Sequence, residues 1–456
     1  MRLPEKPPSD EETHKLFLGQ KDIKIEEMRP FLNIINSKYL HWDELPMRFK
    51  GINIDLKTLW SYAKFGREFN TRPITLNGLI LRYAPTPQIE KALHDLDMRV
   101  GGKFDFESQM PSADLKRKYL VNSLMEEAIA SSQLEGAVTT RVVAKQMLRE
   151  NRKPQDHSEQ MILNNYITMM YIKENTRPNQ PLTLELIKEI HKKISKDTLE
   201  NKVYEGAFRT DNEVKVFSRD EGQLIYEPPD YSSINKLIEQ TCSFANSEPS
   251  EFYLHPIVKA IVLHYMIGYI HPFNDGNGRT ARALFYLYLI SQKYNWLEYV
   301  AVSTAIKNAP SQYMRAYLYS ETDSNDITYF VKFNLRQLDI ALKSFEKYVA
   351  KTISENKKIL ETIKSNPDIN FRQADMIINM SKNERPITLK EMQECYKITY
   401  QTARTDLLGL EKLGYLHRHI RGKQFFFLLD KDKCMSTLSI SDKKAKLPIN
   451  LPKEKN

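Results

Sequence analysis

Apolar residues recur every three to four positions through most of this chain, and strict alternation is confined to a few short stretches. The helical pattern is strongest from residue 113, where Leu120, Leu124, Ala128, Ser131 and Glu135 fall on adjoining turns before Gly136 offers a C-cap. It returns at 158–174, at 184–195 behind Thr183 as N-cap, at 233–246 and at 257–270. Pro272 breaks that last run, and residues 283–290 are apolar all round, which predicts a helix enclosed on every side. Residues 302–319 and 327–356 continue the pattern, the second behind Asn325 and Asp326. Alternation predicts a strand at 74–83, ahead of a helix at 86–97. It also predicts a hairpin whose arms, 206–216 and 223–227, join near Asp220, Glu221 and Gly222 and end at Pro228 and Pro229. Residues 1–30 are polar and predict a frayed start; 29–64 predicts short helices. The fold class expected is mainly α.

The pattern changes near the C-terminus. After a polar helical connector at 346–385, with Asn366 and Pro367 as a break, Thr388 caps a helix over 389–396, Thr399 starts a longer one through Leu413, and Gly414 ends it. Strands at 415–420 and 424–429 then flank Arg421, Gly422 and Lys423. Helix, turn, helix and hairpin in that order resemble a winged helix, an α+β module over 386–430 with 399–413 in the recognition position. Tyr400, Gln401, Thr402, Arg404 and Thr405 are residue types that contact bases and phosphates, and Arg418, Arg421 and Lys423 could grip a backbone, so DNA is an expected partner, with protein docking, which such modules also serve, as the alternative. Charge tempers this. The chain carries +9, but 386–430 accounts for only +2 and the basic tail 431–456 for +4.

Composition excludes other classes. Residues 1–12 lack the apolar core of a secretory signal, and no uncharged run reaches membrane-spanning length. Cys242, Cys395 and Cys434 are scattered and odd in number, which predicts reduced thiols in a cytoplasmic protein with no structural zinc.

The chemistry is concentrated in residues 271–282, His-Pro-Phe-Asn-Asp-Gly-Asn-Gly-Arg-Thr-Ala-Arg. An apolar helix leads in, a tight loop follows, and a second helix leads out. Gly276 and Gly278 bracket Asn277, so backbone NH groups can approach an anion at the second helix's N-terminus. Arg279 and Arg282 are three apart and share a helix face, where both guanidinium forks can reach consecutive phosphates. Asp275 is placed to hold a magnesium ion on those phosphates. Gly276-x-Gly278-x-x-Ala281 also fits a dinucleotide fingerprint, but that needs a preceding strand and a helical run stands there instead. His255 precedes Pro256 as a helix start, and His264 lies inside an apolar helix as a hydrogen-bonded core histidine; only His271 sits among glycines and arginines. Glu135 opposes the macrodipole at its helix C-terminus and needs a cationic partner.

His271, Phe273, Asp275, Gly276, Asn277, Gly278, Arg279 and Arg282 together resemble the Fic family signature, H-x-F-x-[DE]-G-N-G-R-x-x-R. Ser131-x-x-x-Glu135-Gly136 resembles the inhibitory motif of autoinhibited members, and Gly206-x-Phe208-Arg209 the opening of the family's flap, beside which a target segment would dock. The resemblance covers about 113–343. It implies a Fic-type helical core at 113–345, with an inhibitory helix at about 117–136 and a flap at 206–227, after a mostly helical lead-in at 1–112. It also implies ATP and Mg²⁺ as cofactors, His271 as general base, Asp275 on the metal, and Gly276, Asn277, Gly278, Arg279 and Arg282 on the phosphates. Glu135, with Ser131, would hold Arg282 away from the γ-phosphate. The activity implied is transfer of AMP from ATP to a Ser, Thr or Tyr hydroxyl of a protein, the chain itself included. AMP removal, transfer of another phosphate-containing group, a DNA-binding regulator with the core as nucleotide sensor, and a homodimer stay open.

Overall fold

The computed structural model describes residues 2–19, 25–76, 78–99, 113–217, 222–247, 252–365, 367–383, 385–421, 424–430 and 432–433. In chain order, α1 (Asp10–Gly19), α2 (Ile25–Lys38), α3 (Leu45–Arg48) and α4 (Leu56–Glu68) precede a hairpin of β1 (Arg72–Leu76) and β2 (Leu79–Tyr83). Then come α5 (Pro87–Asp97), α6 (Ala113–Leu134), α7 (Arg141–Glu150), α8 (His157–Asn175) and α9 (Leu184–Ser195). The short strands β3 (Val216–Phe217) and β4 (Leu224–Tyr226) lead to α10 (Ile234–Asn246), α11 (Pro256–Ile270), α12 (Asn277–Ser291), α13 (Val302–Lys307) and α14 (Pro310–Thr322). Last are α15 (Thr328–Ser365), α16 (Phe371–Asn383), β5 (Ile387–Thr388), α17 (Leu389–Tyr396), α18 (Tyr400–Lys412), β6 (Leu416–Arg421) and β7 (Gln424–Leu429). The fold is mainly helical, as its sequence pattern predicts.

Two compact units divide the chain. One contains residues 1–104, 126–140 and 155–342; the other contains 105–125, 141–154 and 343–456. In the first, α11 and α12 are buried on nearly all sides, which explains why their sequences are apolar without a polar stripe. The lead-in helices join the same unit through enclosed polar bonds. Lys64 Nζ reaches Asp323 Oδ1 at 2.8 Å, Tyr39 donates to Asp326 at 2.6 Å, and Arg67 donates to the Tyr329 hydroxyl at 2.9 Å. These bonds fix the ends of α14 and α15, and α14 forms one wall of the site below.

In the second unit, strand order β5-β7-β6 forms a three-stranded sheet on α17 and α18. Buried Ile377, Met392, Leu407 and Phe427 form its core, to which α16 also contributes. Tyr400, Gln401, Arg404 and Thr405 stand exposed on α18, whereas Arg418 is occupied by Glu411 at 3.3 Å. Gly422, Lys423 and most of the tail lie outside the described residues.

Several expectations change. Residues 74–83 are two strands, because Gly78 turns the chain at φ +88°. The helix expected at 302–319 breaks into α13 and α14, since Pro310 cannot continue the first and opens the second. The helix expected at 327–356 runs on to Ser365, into the proposed connector. Residues 10–19 are an ordered helix packed on α4 and not a frayed start. The first arm of the hairpin is not a strand from 206: only Val216 and Phe217 pair, because Arg209 ties the preceding segment to the loop after α11.

Candidate active site

The end of α11 turns sharply at His271, whose backbone is left-handed at φ 48° and ψ 58°. Few non-glycine residues adopt this conformation, and the surrounding bonds hold it. Arg209 N–H donates to Pro272 O at 2.9 Å, and its guanidinium donates to His271 O at 3.0 Å, to Asp211 O at 2.7 Å and to Pro229 O. Arg209 is thus buried beneath the loop as a brace. Phe208 lies with it, its ring 5.2 Å from that of Phe273.

His271 Nδ1 faces Gly268 O at 2.9 Å. A carbonyl can only accept, so Nδ1 carries the proton and the lone pair is left on Nε2. Burial pushes this imidazole below its ordinary 6.5, against the raising effect of the Gly268 hydrogen bond and the Glu135 charge. It is therefore neutral at pH 7 and able to take a proton.

Asn277 closes the loop from within. Its side chain accepts from Phe273 N–H at 2.9 Å and donates to Phe273 O at 2.7 Å, all buried. Replacing Asn277 by alanine would orphan both backbone groups, and about 1–3 kcal/mol of stability should be lost. Denaturant midpoints check this, with Asn277→Asp, which restores only the accepting bond, falling between.

His191 on α9 is a loop-holding residue that sequence reasoning missed. Its ring stacks on Phe273 at 3.6 Å, Nε2–H donates to Asp275 O at 2.9 Å, and Nδ1 accepts from Gly206 N–H at 3.0 Å. Burial pushes its pKa down to about 4, which keeps the neutral tautomer these bonds require. The available signal was a histidine within the apolar stripe of Ile187, Ile190 and Ile194. His255 does cap α11, accepting from Ile257 N–H, and His264 is buried 2.7 Å from the Tyr313 hydroxyl, its pKa pushed down to about 3 by burial.

The two arginines project from the first turns of α12. Arg279 donates to Asp275 Oδ2 at 3.0 Å and to Ile194 O at 3.4 Å; its Nε is enclosed without a partner among the described residues. Arg282 donates from Nε to Ser131 Oγ and from Nη2 to Ser131 O, each at 2.8 Å. The same Nη2 donates to Glu135 Oε1 at 2.8 Å, and Nη1 is enclosed without a partner among the described residues.

Glu135 lies one residue beyond the end of α6, and its carboxylate also presses against Gly278: a Cβ added there would sit 2.1 Å from Oε1. It therefore occupies the space before the amino end of α12, where NH groups and the helix dipole favour an anion. Asp275, 52% exposed, stands at the same end. A cavity of about 420 Å³ opens from Glu135, His271 and Gly278 and continues along α14 and the flap strands.

A family model described as Fic/DOC family matches residues 181–289. The chain is 25% identical over 227 residues to a protein adenylyltransferase Fic of Nematostella vectensis, covering 48% of this chain and 50% of the relative. It is 30% identical over 181 residues to the protein of that name in Drosophila virilis, covering 39% of this chain and 34% of the relative. The chain thus spans half or less of these relatives' lengths. A crystal structure of a Fic family protein from Desulfovibrio desulfuricans G20 shares the fold with a TM-score of 0.50 at 19% identity, covering 76% of this chain and 97% of the other. The loop and its two arginines thus lie within the residues the family model matches, and residues 181–289 form a Fic/DOC family domain.

Proposed function

We propose that this protein is an autoinhibited AMP transferase acting on a hydroxyl side chain of a protein, and that Glu135 is its internal competitor for ATP. The observation that carries this is the Arg282 guanidinium, held at 2.8 Å by Glu135 while its Nη1 is enclosed without a partner among the described residues. A fork so placed can take a terminal phosphate or a carboxylate, but not both.

With the carboxylate withdrawn, Arg279 and Arg282 would fix the outer phosphates, and the amides at 276–278 would face the charge that develops during transfer. His271 Nε2 would accept the hydroxyl proton of the target. The target oxygen would form its bond to the α-phosphorus as the bond to the β-phosphate oxygen breaks, releasing pyrophosphate.

Asp275 suits Mg²⁺. Its carboxylate is 52% exposed at the amino end of α12, and magnesium characteristically takes one or two carboxylates with phosphate oxygens and water. When bound it would neutralise phosphate charge. The edges of β3 and β4, where Phe217 and Leu224 are exposed, offer backbone on which an extended target segment could pair.

The test is to incubate the Glu135→Gly protein with cell extract and ATP labelled in turn at the α- and γ-phosphate. The proposal expects protein-bound label from the α position alone, with release of pyrophosphate. Protein-bound γ label, or no bound label from either, would reject it.

A further inference from the structure

The cavity has two chemically different ends, and α14 measures the distance between them. Tyr313, near its start, lies within hydrogen-bond distance of His264 and beside Arg282, at the phosphate end. Tyr317 and Glu321 follow at intervals of four, so the three residues form one row along the helix. Glu321 is thus about 12 Å beyond Tyr313 at 1.5 Å per residue. Met314, Tyr317 and Leu318 form one apolar wall of the same cavity, and Phe217, Ile225 and Tyr226 of the flap contribute another. A slot lined by rings and aliphatic chains suits a flat heterocycle, and this one ends in a carboxyl group with no hydrogen-bond partner among the described residues.

We propose that Glu321, at the far end of this slot, reads the nucleobase and thereby selects adenine over guanine. The inference rests on the nucleotide reading above and names the group that chooses the base. A neutral carboxyl offers one acceptor and one donor side by side, which matches the N6 amino donor and N1 acceptor of adenine. The ionised form offers two acceptors, which match the N1 and N2 donors of guanine and oppose the adenine N1 lone pair.

Burial pushes Glu321 up to about 8, so the neutral form predominates at pH 7 and is lost as pH rises through that value. The titratable groups facing it are Tyr226 from β4, Tyr265 and Tyr269 from α11, and Tyr317 from its own helix. Burial raises all four phenols, so none gains charge below pH 9. Further along the cavity, His271 is neutral, and Arg282, 2.8 Å from Glu135, is a constant charge.

Calorimetric binding of ATP and of GTP to the Glu135→Gly protein, at pH 7 and pH 9, tests the inference alongside Glu321→Gln in the same background. The glutamine amide keeps one acceptor and one donor at every pH. The parent should lose about 10-fold in ATP affinity between the two pH values, as a group titrating near 8 requires, while its preference over GTP narrows. Glu321→Gln should hold its ATP affinity within about twofold. Titration of the nucleotides themselves is common to both proteins and cancels in the comparison. Glu321→Leu, the second variant, should bind both nucleotides alike at either pH. An unchanged base preference in the parent, or the parent's pH dependence reproduced by Glu321→Gln or Glu321→Leu, overturns the proposal and leaves AMP transfer standing. Failure of every protein to bind either nucleotide overturns the nucleotide reading and this inference with it.

Discussion

Glu135→Gly is expected to raise the rate of AMP transfer by about 30- to 1000-fold at subsaturating ATP. The bond it removes joins an enclosed guanidinium to a carboxylate that is 25% exposed. A charge-assisted pair of that kind contributes about 2–4 kcal/mol, and the whole of it opposes a γ-phosphate seeking the same nitrogens. Arg282 should not collapse when Glu135 is lost, because Ser131 Oγ and Ser131 O still hold two of its donors at 2.8 Å each. The released space lies against Gly278, at the mouth of the amide-lined end of α12. Initial rates of α-labelled ATP incorporation, wild type beside variant, check this. Equal rates would mean that the contact is structural and that inhibition has another origin.

His271→Ala in that released background should cut transfer by about 100- to 10,000-fold, the range for loss of a positioned general base. ATP affinity should change little, which separates loss of the base from loss of the fold. With His271 present, activity should fall as pH drops through the imidazole pKa, because only the neutral ring accepts a proton. That pKa lies below 6.5 through burial, and removing Glu135 takes away a charge that raises it. The acid limb of the released enzyme should therefore lie below pH 6.5. A limb centred above that value would argue against the enclosed His271 as the base.

How much of this was legible follows from what local sequence can report. Thr183, Thr388 and Thr399 announced helix starts, and each side chain accepts from the N–H three residues on. The loop was legible because its chemistry falls within twelve consecutive residues, and the need of Glu135 for a cation because a carboxylate ends its helix; that the cation is Arg282 was implied by the family resemblance alone. His191 was not legible. Its partners are Asp275 and Gly206, and nothing within α9 distinguishes a histidine that holds a distant loop from one that fills a core. Arg209 looked like part of a docking strand, since the bonds to His271 O and Pro272 O that use its donors span sixty-odd residues. Glu321 carried no motif; its character comes from the rings packed around it. The break at Pro310 was local and readable, and periodicity alone passed over it.

Ser131 contributes both a hydroxyl and a main-chain carbonyl to Arg282, whereas Glu135 contributes one oxygen to an atom that is already bonded. On the proposed function, the arginine's place in the fold and its availability to substrate would thus rest on different residues. Under the autoinhibition proposed above, a lineage carrying this architecture would lose or regain restraint by one codon at position 135 without first evolving compensating changes in the core, so control and foldability would be selected separately.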